Sequence, residues 1–281
     1  MQTNPQQQRL PVARGYLMCP PERFTVEYSI NPWMDPAVPV DTDLALRQWS
    51  DLVEVFRGLG HHVHEIAPQP GLPDMVFAAN SGVVLGSRVL GARFRNHERV
   101  AEAEHYRRWF TAAGYRDIIM PNRVNEGEGD FAWTGRVLLA GSGFRTEPAA
   151  HAEAQEFFGV PVISLRLVDP RFYHLDTALC VLEEATEGTA AQVAYFPGAF
   201  SAGSRDVLGR MFPTAIQVSE QDACHLALNA VSDGRNVVVP QQAGDFRAAL
   251  AARGYETVPV DTSELLKSGG GPKCCTLELR K

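Results

Sequence analysis

The chain has 281 residues with a net charge of −7, 45% apolar and 21% charged residues. That is the composition of a water-soluble globular protein of one large domain or two small ones. An acidic surface gives a nucleic-acid partner no electrostatic support, and no apolar run approaches the ~20 residues needed to span a bilayer.

In chain order, residues 1–14 (MQTNPQQQRLPVAR) lack an apolar secretory core and read as a flexible lead-in, with residues 15–281 as a single domain. A phrase then recurs: a helix ending at glycine, a β-branched strand, a polar loop, a strand closing on a glycine turn and a further apolar strand. DLVEVFRGLG-HHVHEIAP leads to PDMVFAAN and VVLGS; AEHYRRWFTAAG-YRDIIMP leads to EGEGDFAWTG and RVLLAGSG. HAEAQEFFG-VPVISLRL leads to FYHLDTALCVL and VAYFPGAF; GRMFPTAIQVS leads to CHLALNAVSDG and RNVVVP. FRAALAARG-YETVPVD leads to CCTLELR. Loops returning roughly every 45–55 residues mark an architecture of like units. Each unit mixes helical and strand periods, so the class is α/β with mixed strands. A doubly wound nucleotide-binding sheet is disfavoured, because no GxGxxG or GxxxxGK[ST] occurs.

Five cysteines at scattered spacing (Cys19, Cys180, Cys224, Cys274, Cys275) argue against a disulfide framework and for a reducing, cytoplasmic setting. There is no CxxC, HxxxH or HExxH, hence little support for zinc. The adjacent pair Cys274–Cys275 follows the glycine cluster SGGGP, a loop able to bring backbone close to a ligand. On a strand the two thiols would face opposite ways, one into a site and one into the core. His174 and Asp176, two apart in FYHLD, would share one strand face, the first to move protons and the second to bind a cation. Glu126, Glu128 and Asp130 in NEGEGD are placed to face a planar cation such as a guanidinium.

GGGPKC at 269–274, HLD at 174–176 and EGEGD at 126–130 together resemble the signature of the guanidine-modifying (pentein) enzymes: arginine deiminases, dimethylarginine dimethylaminohydrolases, arginine dihydrolases and amidinotransferases. The resemblance spans nearly the whole chain and implies a five-bladed α/β propeller. It implies Cys274 as nucleophile, His174 as general acid and base, and Glu126 and Asp176 as guanidinium-binding carboxylates. Asp130 falls in the same motif. The extra residue in EGEGD keeps Glu128 as the other candidate for the Glu126 role. Arg145 and Arg99 would hold the substrate carboxylate. Asn80, where deiminases carry an aspartate, and Asn31 are most similar to the arginine dihydrolases, which release ornithine rather than citrulline. No cofactor or metal is implied, the partner is a small molecule, and nothing weighs against a homo-oligomer. The rival readings are a dimethylargininase or deiminase giving citrulline, an amidinotransferase, and a non-catalytic binding module of the same fold. Arginase-type metal chemistry would need clustered ligands beyond HLD.

Overall fold

The computed structural model describes residues 9–280. The first unit contains β1 (Gly15–Met18), α1 (Thr42–Gly58) and β2 (His62–Glu65). In α1 the residues Ala45, Gln48, Trp49, Leu52, Val53 and Phe56 recur at helical spacing and are buried. Asp41 caps its start by accepting the Leu44 N–H, and Gly60 (φ 87°) lets the chain turn out of it. The second unit is β3 (Gly82–Leu85), β4 (Arg88–Gly91), α2 (Glu102–Ala112) and β5 (Asp117–Ile119). The third is β6 (Phe131–Trp133), β7 (Leu138–Ser142), α3 (Pro148–Phe158) and β8 (Val162–Arg166). The fourth is β9 (Leu179–Glu183), β10 (Gln192–Tyr195), α4 (Ala202–Met211) and β11 (Ile216–Gln217). A short α5 (Glu220–Ala223) leads into the fifth: β12 (Val231–Ser232), β13 (Asn236–Pro240), α6 (Gly244–Ala252) and β14 (Glu256–Val260). The chain ends with α7 (Ser263–Leu266) and β15 (Leu277–Glu278).

Five three-stranded sheets result, all built alike. An antiparallel pair is followed by a helix and a third strand parallel to the second, as in β3-β4-β5 and β6-β7-β8. The first sheet is completed from the far end of the chain, β15 lying antiparallel to β1 and β1 parallel to β2. The leading strands begin at Gly82, Phe131, Leu179, Val231 and Leu277, which is the spacing expected of the repeat. No helix among the described residues is long and apolar enough to cross a membrane.

Residues 1–8 of the expected lead-in lie outside the described residues, and 9–14 differ from a free tail. Val12 N–H donates to Asp233 O at 2.8 Å, and the Arg14 guanidinium pairs with Glu184 and Glu278. The buried Glu278 and half-buried Glu184 carboxylates need a counter-charge, and this segment contributes to it.

Candidate active site

Each leading strand is preceded by a tight turn, and the turns carry the polar residues. They are Asn80 before β3, Glu126 and Asp130 before β6, His174 and Asp176 before β9, Asn229 before β12 and Cys274 before β15. Hydrogen bonds join each turn to the next. Asn80 Nδ2 donates to Glu126 O at 3.4 Å, and Glu126 Oε2 lies 2.7 Å from His174 Nε2. Asn229 Nδ2 donates to Asp176 O at 3.2 Å, and Cys274 N–H donates to Asn229 Oδ1 at 3.0 Å. Ala79 N–H donates to Cys274 O at 3.0 Å, which closes the circuit.

The thiol of Cys274 sits 3.3 Å from Asp176 Oδ2 and is 2% exposed. Burial pushes it well above the ordinary thiol range, and the Asp176 carboxylate adds to the effect. Asp176 is itself pushed up to about 6 by burial, against the pull of His174 and Lys273. Glu126 is the opposite case. Burial alone would raise it, but Arg145 (NH1 to Oε2, 2.9 Å), His174 and Arg99 outweigh that and hold it ionised, well below the usual carboxylate range. Asp176 Oδ1 and His174 Nδ1 are buried without a hydrogen-bond partner. Such atoms are rare in native interiors and call for an explanation.

Two local expectations give way. His174 and Asp176 are not on a strand: the chain makes a 3-10 turn over Leu175–Thr177, closed by the Thr177 hydroxyl donating to His174 O at 2.7 Å. Cys274 and Cys275 lie in a turn over 272–275, held by Thr276 N–H to Lys273 O at 2.9 Å, so strand alternation does not separate them. Both are buried in one apolar cluster.

The acidic loop resolves into three different carboxylates. Glu126 faces His174. Glu128 points the other way, accepting from Lys273 Nζ (2.8 Å), Glu278 N–H (3.0 Å) and Arg280. Asp130, expected to bind substrate, has its oxygens taken by the Leu175 and Thr146 amides, both at 3.1 Å, and so fixes the turns beneath His174. The glycines between them have steric duties. Gly127 (φ 55°) would place a Cβ 2.5 Å from Gly82 N, and Gly129 would place one 2.3 Å from Asn80 Nδ2.

The remaining expected residues surround this centre. Arg145 is buried, donates from NH2 to Ile30 O at 2.9 Å, and stacks over Tyr173. Arg99 lies behind Asn80, held bidentately by Glu102 at 2.9 and 2.8 Å and donating to Asn80 Oδ1 at 2.7 Å. Asn31 braces its loop, accepting Trp33 N–H at 2.9 Å and donating to Ser268 O at 3.0 Å. Its loop is further tied down by Trp33 Nε1 to Arg171 O at 2.8 Å. Asn229 and Glu102 were not anticipated. Two cavities of about 690 and 670 Å³ lie elsewhere, one beside Arg14, Trp133 and Arg280, the other beside His64, Trp109 and Tyr115.

A buried thiol, an imidazole, one carboxylate held ionised and one raised by burial, converging from separate repeats, are the equipment of nucleophilic-cysteine hydrolysis of a cationic carbon centre. No family model matches the chain. A dimethylarginine dimethylaminohydrolase of Mycobacterium tuberculosis is 51% identical over 271 residues, 96% of this chain and 87% of that one. The bifunctional arginine dihydrolase/ornithine cyclodeaminase AgrE of Nostoc is 36% identical over 94% of this chain but only 37% of its own length. Among solved structures, the substrate-bound N-terminal domain of the cyanobacterial arginine dihydrolase ArgZ matches with a TM-score of 0.89 at 34% identity, covering 95% of this chain and 98% of that one. A dimethylarginine dimethylaminohydrolase adduct matches at 0.76 with 21% identity, covering 95% and 100%, and shares the fold. The chain belongs to the guanidine-modifying (pentein) superfamily, among its hydrolases of carbon–nitrogen bonds.

Proposed function

We propose that this chain is an arginine dihydrolase that works through a covalent intermediate on Cys274. The observation that carries the reading is the pair of unpartnered buried atoms, His174 Nδ1 and the Oδ1 of Asp176, whose other oxygen lies 3.3 Å from the thiol. A guanidinium seated between them supplies N–H donors to the carboxylate and places its carbon against the sulfur. The thiolate attacks that carbon, and His174, its imidazolium held by ionised Glu126, protonates the departing ammonia. The neutral imidazole then takes a proton from water, which displaces the thiolate and leaves citrulline. A second round on the ureido carbon releases ammonia, carbon dioxide and ornithine. We further infer that the five sheets stand as blades around this centre, and that the Trp33 loop opens to admit substrate.

Asn80 supports the second round. Arg99 can only donate, so it holds Asn80 Oδ1 and turns the amide NH2 towards Glu126 and the site. That donor suits a ureido oxygen better than a guanidinium. The kinship with arginine dihydrolases agrees, as does a cysteine-to-serine variant of ArgZ caught with substrate. A second reading, hydrolysis of Nω-methylated arginine to citrulline, is favoured by the 51% identical Mycobacterium tuberculosis relative. Mass spectrometry of products from arginine and from dimethylarginine decides between them. Ornithine and two ammonia per arginine is the expected result; citrulline alone, or turnover of dimethylarginine only, overturns it. Cys274→Ser should be inactive with the fold intact.

A further inference from the structure

Asn229 belongs to no motif, yet it grips the nucleophile from two sides. It is fully buried, its Oδ1 accepts the Cys274 amide N–H at 3.0 Å, and its Nδ2 donates to Cys274 Sγ at 3.0 Å. The same Nδ2 has the Asp176 carbonyl as a second acceptor at 3.2 Å, so both of its hydrogens are committed. The amide cannot be turned over. An N–H of Cys274 can only donate, which fixes the oxygen towards the backbone and the NH2 towards the sulfur. A Cβ on Gly271 would stand 3.0 Å from Asn229 Oδ1, so the glycine lets the two loops close on each other. The turn bearing Asn229 is strained to the purpose. Leu226, whose carbonyl accepts the Asn229 N–H at 2.9 Å, is the one non-glycine residue among those described with a positive φ, 51°.

The Gly271 backbone also favours the thiolate, but the other side chains around the sulfur do not. Asp176 Oδ2 is an acceptor that favours the thiol form. The neighbouring Lys273 ammonium is directed to Glu128 and to Thr276 O. Among the described residues, Asn229 is the side chain that donates to Sγ.

We propose that Asn229 is a catalytic residue: its Nδ2–H holds the negative charge of the Cys274 thiolate, when it forms for attack and again when water expels it. The carboxamide stays neutral throughout and makes or breaks no covalent bond. It does for sulfur what a backbone amide does for an oxyanion. The proposal rests on Cys274 being the nucleophile, and the test keeps the two ideas apart by measuring the thiol without substrate.

Iodoacetamide inactivation of the full chain is followed against pH for wild type, Asn229→Ala and Asn229→Asp, beside kcat, KM and thermal melts. Loss of a hydrogen bond to a charged acceptor predicts alkylation at pH 8 slowed about ten- to a hundredfold in Asn229→Ala. kcat should fall by a like factor with KM nearly unchanged. A folded Asn229→Ala whose alkylation and kcat stay within about twofold of wild type overturns the proposal. If that variant does not fold, Asn229→Asp decides. It keeps the acceptor for the Cys274 amide but, once ionised, sets a negative charge against the sulfur. Slower alkylation at pH 8 supports the role; a wild-type rate and kcat overturn it. An active Cys274→Ser would instead sink the nucleophile assignment, a result distinct from either.

Discussion

Gly129→Ala inserts one methyl group between the two halves of the site. Gly129 lies outside the left-handed backbone region, so alanine carries no conformational penalty there; the cost is purely of space. The added Cβ would stand 2.3 Å from Asn80 Nδ2 and 3.3 Å from the His174 ring. Ordinary contact requires roughly 3.5 Å, so the Asn80 amide must retreat by about 1 Å. It cannot do so freely, because Arg99 holds its oxygen at 2.7 Å and Glu102 holds Arg99. Overpacking of this kind costs about 1–3 kcal/mol of stability. A displacement of about 1 Å at a reacting centre lowers kcat about a hundredfold. Steady-state ammonia release from arginine, product ratios by mass spectrometry and thermal melts measure all three quantities. The expected result is a folded protein with a modestly lower Tm, kcat reduced by about two orders of magnitude, and relatively more citrulline among its products. Wild-type kcat with wild-type products would mean that Asn80 and His174 do not need the space Gly129 leaves them.

The two glutamates should separate cleanly. Glu126→Gln should lose at least about a hundredfold in kcat, since it strips His174 and Arg145 of their charge partner. Glu128→Gln should keep kcat and lose up to about 3–5 kcal/mol in denaturant unfolding, less in so far as Lys273 and Arg280 retain some solvent. Asp176 titrates near 6 and must be ionised to receive a cation, so kcat/KM should fall about tenfold per pH unit below that value. Because its folded value is raised, ionised Asp176 costs the free protein stability as pH rises through about 6. Asp176→Asn should therefore abolish turnover yet raise Tm at pH 8, by up to about 3 kcal/mol in stability; a lower Tm would refute the electrostatic reading. Gly127→Ala, which meets backbone atoms at 2.5–2.7 Å with φ at 55°, should fail to accumulate as soluble protein.

The parts of this site legible in sequence were those whose chemistry is compressed into a few adjacent residues. The glycines of GGGPKC, expected to bring backbone close to a ligand, bring it close to the protein's own rings: a Cβ on Gly270 would meet the Phe77 ring at 2.2 Å, and one on Gly269 would meet Trp33 at 2.9 Å. HLD reads as strand from the two-residue spacing of His174 and Asp176, and Thr177 favours strand by type. The Thr177 hydroxyl instead bonds back to His174 O and makes a turn. Arg99, Asn31 and Asp130 read as substrate residues from charge and polarity, and each also has protein partners that the sequence does not display. For Arg99 the partner is near in sequence, Glu102 three residues beyond. Asn229 had no such neighbour, since LALNAV contains no motif at all. Its signal lay one level up, in the repeat: Asn80 stands just before β3 at Gly82 as Asn229 stands just before β12 at Val231. Aligning the units on their leading strands would have singled out both amides, because in a chain built from like units the position before each leading strand is where the turns meet and where the chemistry gathers.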